Sequence, residues 1–304
     1  MILLQQMIVL FLLMAVGFLC RKKRLIDEEA SKRISGLVIN VANPAMILSA
    51  GFRKENAVTG GELAGTFLLA AVIFGILIGT ARFLPRLLSC DREDYGVYRV
   101  MTVFSNIGFM GFPIIRAVYG QEALLYASVF LLPYNILIYT YGIQAVKPRS
   151  RKEPLPWTKI GNIGVYACLV CMALYILNIP VPVFLQDAVG HLSALTAPLS
   201  MLVIGGSLAG QRFRSLFSDK RLLAFSAVKL LLIPLVGVSV IKLLGFAPML
   251  TGVCLVVLSA PVGSMIAMLA RQYDGDFELA SKGMALTTVL SVATLPLLSL
   301  ILQV

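Results

Sequence analysis

SNIGFMGFP, residues Ser105 to Pro113, lies inside an apolar run of this 304-residue chain. Its asparagine, two glycines and proline stand where a membrane-spanning helix would use leucine. Water is absent at that depth, so every freed backbone amide or carbonyl must find a partner within the protein or in a polar cavity. Such a stretch either permits close helix packing or interrupts a helix to build a site.

Hydrophobic residues make up 59% of the chain and charged residues 13%, with a mean hydropathy of +0.89. Soluble domains carry about 25% charged residues, so the composition is that of an integral membrane protein in contact with a lipid bilayer. The net charge of +11 resides in short Lys/Arg clusters between apolar runs, where it fixes orientation. Nucleic acid is therefore not an expected partner. Cys20, Cys90, Cys168, Cys171 and Cys254 form no disulfide framework. Cys168 and Cys171 lie within an apolar run without a second ligand pair, which favours helix packing over metal or redox chemistry. No cofactor or metal ion is expected.

Ten apolar segments fall at roughly 3–20, 34–50, 63–81, 98–115, 123–146, 161–179, 192–210, 222–243, 248–270 and 280–303, most of them near the ~20 residues that cross a bilayer as a helix. The first is not a secretory signal, because Arg21, Lys22, Lys23 and Arg24 follow the apolar run instead of preceding it. Of the 26 Lys and Arg, 21 lie in or at the edges of connections after odd-numbered spans. Four lie after even-numbered ones, and Lys229 stays inside the eighth span. The positive-inside rule predicts such a division for ten spans, with both termini outside the cytoplasmic membrane.

Five spans per half make any duplicated half run through the membrane in the opposite sense. Pro44 and Pro198, Ser105 and Ser259, and Tyr119 and Tyr273 are each 154 residues apart in similar local sequence. The expected fold is thus an all-α integral membrane protein of ten transmembrane helices. They form two inverted five-helix repeats, residues 1–152 and 153–304. Inverted-repeat transporters place their substrate where equivalent helices are interrupted. The fourth span, with 16 residues between Arg99 and Arg116, and the ninth, carrying SAPVGS, form such a pair. Proline removes a backbone donor and frees a carbonyl one turn earlier. Broken helix ends then become the polar groups of a site.

NIGFMGFPIIRAVYG, Asn106 to Gly120, resembles the fourth-span pattern of the auxin efflux carrier family. Residues 259 to 281 are similar to that family's ninth span, while NPAMILSAGF and APLSMLVIGGSLAG resemble its second and seventh. Only Lys147 to Lys159 separate the two halves, as in the short prokaryotic members. The resemblance implies a fold like that of sodium/proton antiporters and bile acid symporters. Spans 1, 2, 6 and 7 would form a scaffold, and spans 3–5 and 8–10 a transport domain with crossing broken helices. It further implies elevator-type transport of a small organic anion, auxin-like or a dicarboxylate such as malate or malonate, and a homodimer through spans 2 and 7.

The candidate substrate-binding residues are Asn106, Pro113, Ser259, Pro261, Gly263 and Ser264, with Asn43 and Asn135. Ala260 offers no side-chain hydrogen bond, so Ser259, Ser264 or backbone must serve the second break. Each asparagine has a competing role as an interhelical hydrogen bond. Lys229 lies eight residues into its span, ~12 Å deep, and is read as snorkelling to the cytoplasm in preference to pairing with an anion. Gly75 with Gly79 and Gly206 with Gly210 are small-xxx-small pairs for close helix packing, the second pair also at the expected dimer contact. His191 reads as interfacial.

An intramembrane enzyme would need catalytic residues at depth, yet all 15 Asp and Glu lie in or beside connections and there is no HExxH motif. No connection has room for a receptor's output module. An anion channel or a sodium-coupled organic-solute symporter remains as an alternative. No carboxylate at midspan marks a coupling ion.

Overall fold

The computed structural model describes residues 2–52, 58–147, 161–211 and 216–304. Their regular structure is helical: α1 (Ile2–Lys22), α2 (Glu28–Ala50), α3 (Gly60–Leu87), α4 (Tyr95–Val103), α5 (Ile107–Tyr119) and α6 (Ala123–Val146) come first. Then follow α7 (Ile163–Ile176), α8 (Val183–Ala209), α9 (Lys220–Leu243), α10 (Pro248–Ser259), α11 (Ser264–Gln272) and α12 (Phe277–Leu302). An isolated antiparallel bridge joins Ser105 to Val262. Seven helices are long and apolar enough to cross a membrane, and α5, α7 and α10 are shorter apolar helices.

The polar residues of the connections start these helices. Asp27, Asp219 and Asp276 each accept a backbone N–H from the first turn of the helix they precede. Thr59 and Glu62 form a reciprocal capping box at α3. Side-chain oxygens thereby satisfy donors that helix starts leave open. Leu4, Ile8, Leu12 and Leu19 on α1 and Leu68, Ile76 and Leu87 on α3 face outward, where lipid is as apolar as they are.

Packing inside the bundle uses small residues where backbones meet. A Cβ at Gly17 would lie 2.3 Å from the Leu202 carbonyl oxygen, and one at Gly205 would overlap the Met14 carbonyl. These two glycines let α1 and α8 touch backbone to backbone, an interaction driven by van der Waals contact since lipid supplies no hydrophobic force. Gly206 is buried beside this contact, with Gly17 O 3.9 Å from its would-be Cβ. It therefore serves packing within the chain. Gly75 and Gly79, by contrast, have open space at their Cβ positions, so the helix packing expected of them is absent among the described residues.

The seventh segment is longer than its hydropathy showed, running from Val183 through His191, which is exposed on the helix. The repeat boundary at 152/153 lies outside the described residues, as do Arg53, Lys54, Glu55, Lys152, Lys159, Arg212 and Arg214.

Candidate functional site

Two helices are interrupted, and their interruptions meet. After α4 the chain is extended at Phe104 and re-enters a helix after Asn106. After α10 it is extended at Ala260 and resumes at Ser264. The Asn106 amide donates to the Pro261 carbonyl at 2.7 Å, and the Gly263 amide donates to the Phe104 carbonyl at 3.0 Å. Each break thus satisfies backbone groups that the other exposes, as hydrocarbon depth demands. The Val262 amide donates to Thr287 Oγ1 on α12 at 3.1 Å. The backbone at Gly263 is closely approached: a Cβ there would stand 3.3 Å from both the Ser105 carbonyl oxygen and the Tyr134 hydroxyl, so those neighbours would have to give by a few tenths of an ångström.

Asn106 is 4% exposed. Its Oδ1 accepts the Phe109 amide at 3.4 Å and so caps α5, while its Nδ2 has no partner. Asn43 on α2 approaches the same turn: its Nδ2 would lie 3.2 Å from a Cβ on Gly108, and its Oδ1 is buried without a partner. Buried polar side-chain atoms are normally hydrogen-bonded. Asn106 Nδ2, an open donor, and Asn43 Oδ1, an open acceptor on α2, are two exceptions beside the start of α5.

Lys229 was expected to snorkel, and it does not. Its side chain is 0% exposed, and Nζ donates to the Thr102 carbonyl at 2.9 Å and to Ser105 Oγ at 2.8 Å. The carbonyl end of α4 attracts the ammonium more strongly than the distant interface does, because both are desolvated. Sequence reasoning located this lysine but not its partners, which lie on another helix.

The other expected site residues divide. Pro261 and Gly263 are at the crossing, and Ser264 is the half-buried first residue of α11. Ser259 ends α10, but its hydroxyl donates to the Leu255 carbonyl within its own helix. Pro113 does not break a helix: it sits buried within α5, which continues through it. Asn135 is apart from the crossing's bonds, since its Nδ2 donates to Leu131 O and its Oδ1 accepts from Asn162 Nδ2, both at 2.8 Å. Tyr134, whose ring packs edge-on against Phe104, and Thr287 belong to the crossing without having been singled out in the sequence.

Helix N-termini, an open amide and an ammonium converge here, a set suited to bind an anion. The chain matches a family model described as membrane transport protein over residues 2–164 and 154–299. It is 25% identical over 301 residues to an uncharacterized transporter of Methanothermobacter thermautotrophicus, covering 95% of each chain. It is 23% identical over 300 residues to one of Methanocaldococcus jannaschii, covering 95% of this chain and 96% of the relative. A Rhizobium meliloti protein named "putative malonate transporter" is 23% identical over 305 residues, covering 93% of this chain and 91% of its own.

Proposed function

Because this chain belongs to the membrane transport protein family, that of the auxin efflux carriers, we propose that it is a secondary-active carrier of a small organic anion. A dicarboxylate of malonate size is the favoured substrate. One observation carries the choice of site: Asn106 Nδ2 is buried without a partner beside the helix crossing. A carboxylate oxygen accepting from that amide, near the N-terminal end of α5, would remove the deficit. The name of the Rhizobium meliloti relative supports the substrate size.

The protein works by alternating access across the cytoplasmic membrane, with both termini outside and ten spans in two inverted repeats. The 154-residue offset supports the repeat, and so does the backbone: Gly120 and Asp274, also 154 residues apart, both have positive φ just beyond α5 and α11. In this reading α1, α2, α7 and α8 form the scaffold, and the remaining helices move with the crossing. A homodimer through α2 and α8 belongs to the same reading, formed without Gly206. The protein is a carrier and not an enzyme.

The test is a thermal-stabilisation screen of carboxylates on purified protein, followed by counterflow in proteoliposomes. A ligand that binds the folded form raises the midpoint by mass action. Uptake of labelled malonate stimulated by unlabelled malonate on the opposite side identifies a carrier. Uptake that is never stimulated identifies a channel, and a screen without any stabilising carboxylate removes the anion reading.

A further inference from the structure

Lys229 is a basic group at membrane depth whose bonds go to a carbonyl and a hydroxyl, not to a carboxylate, unlike Arg33, Arg221 and Lys282, which pair with Glu29, Asp91 and Glu278. A lone buried charge is costly unless something of opposite sign faces it. What faces it here is the carbonyl end of α4, through Thr102 O, and the hydroxyl of Ser105, the residue before Asn106. Those two oxygens are the kind of ligand that a sodium ion takes at an unwound helix in coupled transporters. The ammonium already holds them. Two of its three N–H donors are engaged in doing so.

Among the described residues, the other half of the chain has no buried cation. The residue 154 positions before Lys229 is Gly75, exposed on α3. At the second break the Val262 amide is met by a threonine hydroxyl. The crossing therefore combines two positive helix starts, two negative helix ends and one positive charge, an excess that one carboxylate of the bound anion cancels.

We propose that Lys229 is the resident cation of the transport site, balancing the charge of the bound carboxylate and occupying the oxygens that a coupling sodium ion would need. This rests on the carboxylate reading above. The carrier then binds its anion without sodium, and the lysine crosses with its cargo.

The experiment measures malonate binding to purified protein by calorimetry, in sodium chloride and in N-methyl-D-glucamine chloride, for the parent, Lys229→Arg and Lys229→Ser. The parent is expected to bind equally in both salts. Lys229→Ser is expected to lose about tenfold or more in affinity without sodium, as when a buried charge pair loses one member. Sodium should restore part of that loss in Lys229→Ser alone, because the vacated oxygens become available. Lys229→Arg, which keeps the charge, should stay closer to the parent and serves if the serine variant does not fold. A parent that needs sodium overturns the proposal, as does Lys229→Ser binding like the parent in sodium-free buffer. If the parent binds no carboxylate in either salt while remaining monodisperse, the carboxylate reading itself fails and takes this one with it.

Discussion

Two asparagines of equal standing in the sequence have different roles once their partners are known. Asn135 is fully engaged by Leu131 and Asn162, whereas Asn106 keeps an open amide. Asn106→Ala is therefore expected to leave a folded, monodisperse protein that binds malonate about 1 to 3 kcal/mol more weakly, the usual value of a hydrogen bond to a charged group. Asn135→Ala should instead lower the thermal midpoint, by about 1 kcal/mol of stability, with malonate affinity unchanged. Equal losses of affinity in both variants would show that the amide count does not identify the site. At the membrane surface, Asp94 has its carboxyl pKa raised, first by burial and then by Asp276, Asp91 and Glu93, with Arg221 opposing. A raised acid favours the folded state when protonated, so its contribution to stability is present at low pH and falls as pH rises through the carboxylate range into the raised folded value. Asp94→Asn is thus expected to raise the thermal midpoint at pH 7 to 8, with the gain vanishing toward pH ~4, the ordinary carboxylate range.

The sequence reads Pro113 as a helix breaker, but it and two other prolines are accommodated inside helices by one device. Asn43 N–H bonds Val38 O, Phe112 N–H bonds Ile107 O and Ile233 N–H bonds Val228 O, each five residues back. In each case proline is the next residue: Pro44, Pro113 and Pro234. A wider π-turn removes the clash between the proline ring and the carbonyl four residues earlier, and it absorbs the missing donor. The same turn directs Lys229 and the Ile107–Gly111 stretch toward the crossing. Pro113→Ala is accordingly expected to retain the fold and some malonate binding while altering the helix register ahead of it. Gly263→Val should weaken malonate binding, because its Cβ alone would stand 3.3 Å from Ser105 O and the Tyr134 hydroxyl and would push the crossing apart. Differential scanning fluorimetry together with binding separates the two outcomes. Both variants behaving alike would place the crossing elsewhere.

Several bonds join the helices assigned to the scaffold to those assigned to the moving part. Arg116 Nη1 on α5 donates to Ser193 Oγ on α8 at 2.6 Å, and Gln121 Nε2 donates to the Ser49 carbonyl on α2 at 2.5 Å. By the topology proposed, both lie on the outer side, where they would hold the crossing closed to that side. Replacing Arg116 and Gln121 by alanine is expected to increase labelling of a Gly108→Cys probe by an impermeant maleimide added outside, in a background without the native cysteines. Unchanged labelling would mean that these bonds do not control access. The sequence by itself determined the membrane setting, most of the apolar helical segments and the two stretches, Ser105 to Pro113 and Ser259 to Ser264, that hold the interruptions, but not their caps or the residue at which the first break falls. Hydropathy, periodicity and turn chemistry are properties of neighbours along the chain, and they can be read without a partner. Only the tertiary structure decided that Pro261 answers Asn106, that Lys229 turns inward to Ser105, and that Asn135 is satisfied while Asn106 is not. Pro261, which answers Asn106, and Ser105, which answers Lys229, each lie more than 120 residues from the residue they meet. Whether a polar group inside a membrane is a strut or a ligand depends on the partner it meets there, which its own segment does not encode.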